Sequence, residues 1–170
     1  LGLEKAEPDI MKRRPRDAKA GIFAGGMGVD VIYQGLVVSG LVLLSYFVGH
    51  FMETGTWMLT DSAHGMTMAF LTMSMAEIFH SFNMRSQRGS IFALPSSNMA
   101  LLISAAASLA ATTVVCEVPA LAAAFDFTGV SFREYAAAIL IGAFVIPIVE
   151  LVKAAQRLAA RSRASETETA

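Results

Sequence analysis

GMTMAFLTMSMAEIFHSFN, residues Gly65–Asn83, decides how the chain folds. The stretch is apolar enough to read as a transmembrane helix, yet it holds Glu77. No other formal charge lies between Asp61 and Arg85. A carboxylate at that depth costs about 2.5–3.5 kcal/mol on insertion scales, so a chain keeps one where an ion, a proton or a buried partner needs it. Counting by helical steps sets Thr67, Phe70, Ser74, Glu77 and Ser81 on one face, with His80 one step aside. Carboxylate and hydroxyl oxygens are what hard cations prefer, so this face could hold a cation, a reading that weighs evenly with the next. The alternative is a carboxylate paired with a neighbouring helix for structure alone. One carboxylate cannot hold a calcium ion, which takes about 6–8 oxygens, so further ligands must come from elsewhere.

The rest of the composition agrees with a membrane setting. Of the 170 residues 55% are hydrophobic and the mean hydropathy is +0.56. Only 16% are charged, against about 25% in soluble domains, which argues against a soluble enzyme. A net charge of −1 gives no sign of nucleic-acid binding. The single cysteine, Cys116, lies in an apolar run and reads as a small buried hydrophobe. Leu1–Lys19 is polar and has no secretory signal; the abrupt start at LGLE suggests a piece of a longer protein.

About 20 apolar residues cross a bilayer as a helix. Four windows qualify: about 29–51, 63–82, 98–118 and 132–152. The expected fold is therefore all-α and integral to the membrane, with four transmembrane helices packed as two hairpins. Residues 1–28 read as the end of a preceding helix and a basic loop, 29–153 as the four-helix domain, and 154–170 as a disordered tail, basic then acidic. Twelve of the 13 Lys and Arg residues fall on one side of these spans and only Arg133 on the other. The positive-inside rule then predicts that both termini are cytoplasmic. Pro119 should close the third helix, and Pro147 should kink the fourth by removing a backbone donor and clashing with the preceding turn. The Ala- and Ser-rich third span suits burial against other helices.

The remaining polar residues read as structural. Glu150 can pair with Lys153 one turn on. Asp30 suits the N-terminal dipole of the first span, and Glu117 the headgroups. His50 and His64 bracket the one–two loop as interfacial residues, and the three histidines have no metal-ligand spacing. Gly35 and Ser39 form a small-xxx-small pair, with Gly40 and Ser45 nearby, expected to pack helices closely. Gly25, Gly26 and Gly28 are not followed by the Lys-Ser/Thr of a nucleotide loop.

Two stretches carry a resemblance. LGLEKAEPDIMKRRPRDAKAGIF, Leu1–Phe23, resembles the segment leaving the sixth transmembrane helix of P-type cation pumps of the calcium-pump-like subgroup. Leu1-Gly2-Leu3-Glu4 matches the helix end, and Asp9-Ile10-Met11 with Pro15-Arg16 the cytoplasmic loop; Arg14 replaces the first of two prolines usual there. TMAFLTMSMAEIFHSFNMRSQRGSIF, Thr67–Phe92, resembles the eighth helix of bacterial calcium-pump relatives and the basic loop after it.

The resemblance implies that the four spans are helices seven to ten. It implies that Glu77, matched by the motif A-E-x-x-x-x-x-N ending at Asn83, is an auxiliary ligand of a calcium site whose main ligands lie on helices four to six. It implies a coupling loop through Asp9, Arg13 and Arg16. ATP and Mg2+ would bind the missing phosphorylation and nucleotide domains, so the parent would be an ion-translocating ATP hydrolase and this chain inactive alone. The implied partners are the rest of the pump and membrane lipid, with no nucleic acid. The implied location is the plasma membrane of a bacterium. Other members move manganese, sodium or protons. A free-standing four-helix structural or assembly subunit is the competing reading.

Overall fold

The computed structural model describes residues 11, 19–21, 23, 26–58, 60–86, 89–91 and 98–168; for 161 and 163–168 it describes the backbone path alone. Among the described residues the chain is all helical: α1 (Met27–Thr54), α2 (Ala63–Asn83), α3 (Met99–Glu117), α4 (Pro119–Ala124), α5 (Phe132–Ala143) and α6 (Val145–Glu168).

Local sequence sets the helix ends. The Ser62 and Asn98 side chains accept from the backbone N–H of Gly65 (2.8 Å) and Leu101 (3.0 Å), opening α2 and α3. Ser131 and Glu134 make a reciprocal capping box that opens α5. Gly55 ends α1 with φ 74°, a left-handed conformation glycine adopts without strain, and donates to the Phe51 carbonyl. Pro119 sits at the first position of α4, where its missing N–H costs nothing, so α3 stops just before it. The fourth apolar window breaks into α5 and α6 at Phe144, three residues before Pro147. Pro147 has no N–H to give the Ala143 carbonyl, and its ring crowds that turn. Beyond the apolar window α6 continues as helix to Glu168, through the stretch expected to be disordered. Residues 154–160, AAQRLAA, are strong helix formers, which favours that continuation.

Three helical stretches are long and apolar enough to cross a membrane: Met27–Thr54, Met99–Glu117 and Phe132–Ala160. α2, with 21 residues, matches them in length. Its Glu, His, Ser, Thr and Asn content sets it apart in composition.

That polar helix is the one the others surround. α2 packs against α1, α3, α5 and α6. Its Met68, Leu71, Met75 and Ala76 are fully buried. Met68, Leu71 and Met75 join Cys116 of α3 and Ala138 of α5 in one core cluster; Leu41, Val145 and Val149 build a second between α1 and α6. Small residues permit the close approach. A Cβ on Gly49 would lie 3.0 Å from the Gly65 Cα and the His64 carbonyl, so α1 and α2 meet backbone to backbone there. A Cβ on Gly142 would lie 2.9 Å from Met75 Cβ and 3.1 Å from the Ala76 nitrogen, which does the same for α5 and α2. Between these points the Thr72 hydroxyl reaches Ser45 Oγ (2.6 Å) and the Ala138 carbonyl (3.3 Å), and Ser45 donates to the Met68 carbonyl. Such interhelical hydrogen bonds are worth about 0.6 kcal/mol each in a membrane.

The small-residue seam therefore runs through Ser45 and Gly49. Gly35, Ser39 and Gly40, expected to form it, face outward with open space around both glycines. Both pairs have the same i, i+4 pattern; only the place where α2 crosses α1 selects between them. The other departure is α3, expected to be buried. Within this chain only Leu101 and Cys116 of α3 are buried, and its Ala/Ser surface is largely open.

Candidate cation site on the second helix

Packing fixes the backbone of α2 on either side of Glu77, while the carboxylate itself stays open. Met75 and Ala76 are pressed against Gly142 of α5. Asn83 is buried and donates to the Val145 carbonyl (3.3 Å). Lys153, only 3% exposed, reaches from α6 to donate to the carbonyls of Asn83 (2.6 Å) and Ser86 (2.7 Å). It thus caps the C-terminus of α2, where a cation also suits the helix dipole. Glu150 lies 3.7 Å from Lys153, the pairing its spacing suggests, and accepts from the Ile91 N–H (3.2 Å).

Glu77 is exposed and, among the described residues, makes no hydrogen bond or ion pair. It lines a groove of about 310 Å³ between α2 and α3, shared with Ile78, Ser81, Leu101, Ser104, Ala105 and Ser108. The polar face read from the sequence is thereby divided. Thr67 is buried, donates to the Ala63 carbonyl and accepts from the Thr128 N–H (3.0 Å). Phe70 packs on Phe127 with centroids 4.6 Å apart. Ser74 is half-buried; Glu77 and Ser81 alone of the five line the groove. His80 turns to α1, 3.1 Å from the Gln34 Oε1. Asp9, Arg13 and Arg16 lie outside the described residues.

Several polar contacts escaped the sequence reading. His64 is not a free interfacial residue: its Nδ1 lies 2.5 Å from Glu134 Oε1, tying the first turn of α2 to that of α5. The S-x-x-E signature at Ser131–Glu134 could have located that carboxylate. His50 is buried beside the hydroxyls of Thr54 and Thr60. Asp30 is buried and accepts from Gln156 Nε2 (2.8 Å), joining the start of α1 to α6. Ser104 and Ser108 carry no signal of their own in an Ala/Ser-rich run; only the packing of α3 on α2 brings them to Glu77.

A carboxylate facing hydroxyls on an anchored helix can bind a cation or hold a proton. Comparison with known proteins bears on which setting this is. The model of the family described as "Cation transporting ATPase, C-terminus" matches residues 1–155. The chain is 29% identical over 168 residues to calcium-transporting ATPase 1 of Bacillus cereus, covering 92% of this chain and 19% of that protein. It is 41% identical over 86 residues to a calcium-transporting ATPase of Listeria monocytogenes, covering 51% of this chain and 9% of the relative. A sodium/potassium exporting P-type ATPase of Saccharomyces cerevisiae is 30% identical over 104 residues, 54% of this chain and 9% of that one. The chain thus spans about a fifth or less of these relatives' length. By the match over residues 1–155, and with three helices apolar enough to cross a bilayer, this membrane protein belongs to the C-terminal family of the cation-transporting P-type ATPases.

Proposed function

We propose that the chain is helices seven to ten of an ATP-driven calcium pump, where it braces the transport helices and lends Glu77 to the cation site. In this reading α1, α2, α3 and the α5–α6 pair are four spans forming two hairpins. Both termini are cytoplasmic, and the membrane is a bacterial plasma membrane. The Lys and Arg distribution supports that orientation. Calcium is the cargo named for the Bacillus and Listeria relatives. The remaining ligands, and the domains that bind ATP and Mg2+, belong to the rest of the pump, this chain's main partner. The chain alone hydrolyses no ATP. The loop through Asp9, Arg13 and Arg16 links the membrane region to those domains.

The single observation that carries this reading is that Glu77 is anchored by its backbone but not used by the bundle. Leaving a carboxylate unpaired in a membrane is costly. The bundle satisfies Glu134 through His64 and Ser131, and Glu150 through Lys153 and Ile91. Among the described residues Glu77 has no such role. The test is Glu77→Gln in the full-length pump, scored by the calcium dependence of phosphorylation from ATP. Removing one charge-assisted contact should weaken the apparent affinity by about tenfold or more. Wild-type affinity and stoichiometry would remove Glu77 from the site.

A second reading has a monovalent cation as cargo, in keeping with the name of the yeast relative. It predicts that sodium or potassium, and not calcium, triggers phosphorylation.

A further inference from the structure

α3 enters the reading above only as a brace, but its groove-facing side has the chemistry of a ligand. Ser104 and Ser108 stand one turn apart and line the groove with Glu77 and Ser81. Two of the three serines have already spent their hydrogens. Ser81 donates to the Ile78 carbonyl (2.6 Å) and Ser104 to the Leu101 carbonyl (3.0 Å), each three residues back on its own helix. A hydroxyl that donates in this way keeps two lone pairs as acceptors. Glu77, ionised, is acceptor-only as well. Among the described residues no Lys, Arg or His lines the groove. The lining thus presents oxygen lone pairs and negative charge to whatever enters, with the apolar Ile78, Leu101 and Ala105 around them.

That pattern selects among occupants. An anion would meet the Glu77 carboxylate and a single available donor, the Ser108 hydroxyl. A proton-carrying water chain needs groups that both donate and accept, and Ser81 and Ser104 have their donors turned back. A hard cation is satisfied by such oxygens. Two carboxylate and three hydroxyl oxygens fall short of the roughly 6–8 that calcium takes, so the remaining positions fall to water and to the pump helices outside this chain. A groove of about 310 Å³ has room for such water, since each water occupies about 30 Å³. We infer that Ser104 and Ser108 of α3, with Ser81, are ligands of the cation that Glu77 serves, which makes α3 a ligand-bearing helix. This rests on the assignment of Glu77 to the cation site.

The test uses the full-length pump and calcium dependence of phosphorylation. Ser104→Ala combined with Ser108→Ala should weaken apparent calcium affinity by about tenfold, the lower range for hydrogen-bonding groups facing a charge. Ser108→Thr, which keeps the hydroxyl, should restore most of that affinity beside Ser104→Ala. Ile103→Ala, on the same helix but outside the groove, should leave it unchanged. Alanine is the better helix former, so the double variant should elute from size-exclusion chromatography like the wild type. Unchanged affinity in the double variant overturns the inference. If Glu77→Gln weakens calcium binding in that same experiment, the Glu77 assignment stands and only the role of α3 falls. If Glu77→Gln also has no effect, the assignment itself fails. A loss that Ser108→Thr does not recover overturns the hydroxyl account as well, because packing rather than oxygen would then be at fault.

Discussion

α2 and α3 invert the arrangement a soluble protein would adopt. α2 carries a carboxylate, two histidines and several hydroxyls, and it is the helix the bundle surrounds. α3 has no Asp, Glu, Lys, Arg or His before Glu117, and within this chain only its Leu101 and Cys116 are buried. In water the apolar helix would be the core. In a bilayer lipid is as apolar as leucine, so apolar surface gains little from burial and polar groups gain most. Hydropathy therefore finds the candidate spans but says little about which of them lies inside. The difference also shows on single faces of α2. Toward α1 and α5 it is small and tight, with Thr72 hydrogen-bonded to both neighbours. Toward α3 it is open at Glu77.

The tight face is where substitutions should cost most. Gly142→Leu places a side chain where even a Cβ would meet Met75 and the Ala76 backbone. It should prevent assembly of α5 on α2, and the purified protein should aggregate or be degraded. A variant that elutes and melts like wild type would mean that α2 and α5 do not meet at this point. Lys153→Met should come next. It leaves the carbonyls of Asn83 and Ser86 without their cationic donor, at about 1–3 kcal/mol, visible as a lower melting temperature in detergent. Arginine at this position should not restore stability, since a planar fork does not replace a compact ammonium between two carbonyls. Thr72→Val, which removes the hydroxyl between Ser45 and the Ala138 carbonyl, should cost about 0.6–1.7 kcal/mol. Gly35→Ala gives the smallest effect. Nothing lies within 4 Å of the added methyl, and the helix-propensity gain of up to about 1 kcal/mol is the only expected change. A large loss there would show that the outward stripe of α1 is a packed seam in the full protein.

Much of this architecture was legible in the chain. The apolar windows locate α1, α2 and α3 to within a few residues, because helices of bilayer length leave an unmistakable run, whereas α6 continues past the fourth window to Glu168. Pro119 and Pro147 mark where the runs break, since a missing N–H acts locally. Glu77 stands out because a lone carboxylate in such a run is expensive. The unread part was pairwise. Ser45–Gly49 and Gly35–Ser39 are the same pattern, and only the crossing of α1 and α2 decides which is used. Lys153 could be matched to Glu150 by spacing, but its main partners lie on α2, 67 and 70 residues away in sequence. His64 and Glu134 are likewise separated by 70 residues. Ser104 and Ser108 became candidates only when α3 was laid beside Glu77.

The central claim is that Glu77 serves the ion while the other membrane carboxylates serve the bundle. Equilibrium binding of radioactive calcium to the purified full-length pump tests it directly, with Glu77→Gln and Glu150→Gln measured side by side. Glu150→Gln keeps an acceptor for the Ile91 N–H. The account predicts weakened or lost calcium binding in Glu77→Gln and wild-type binding in Glu150→Gln. Equal binding by the two variants would contradict it.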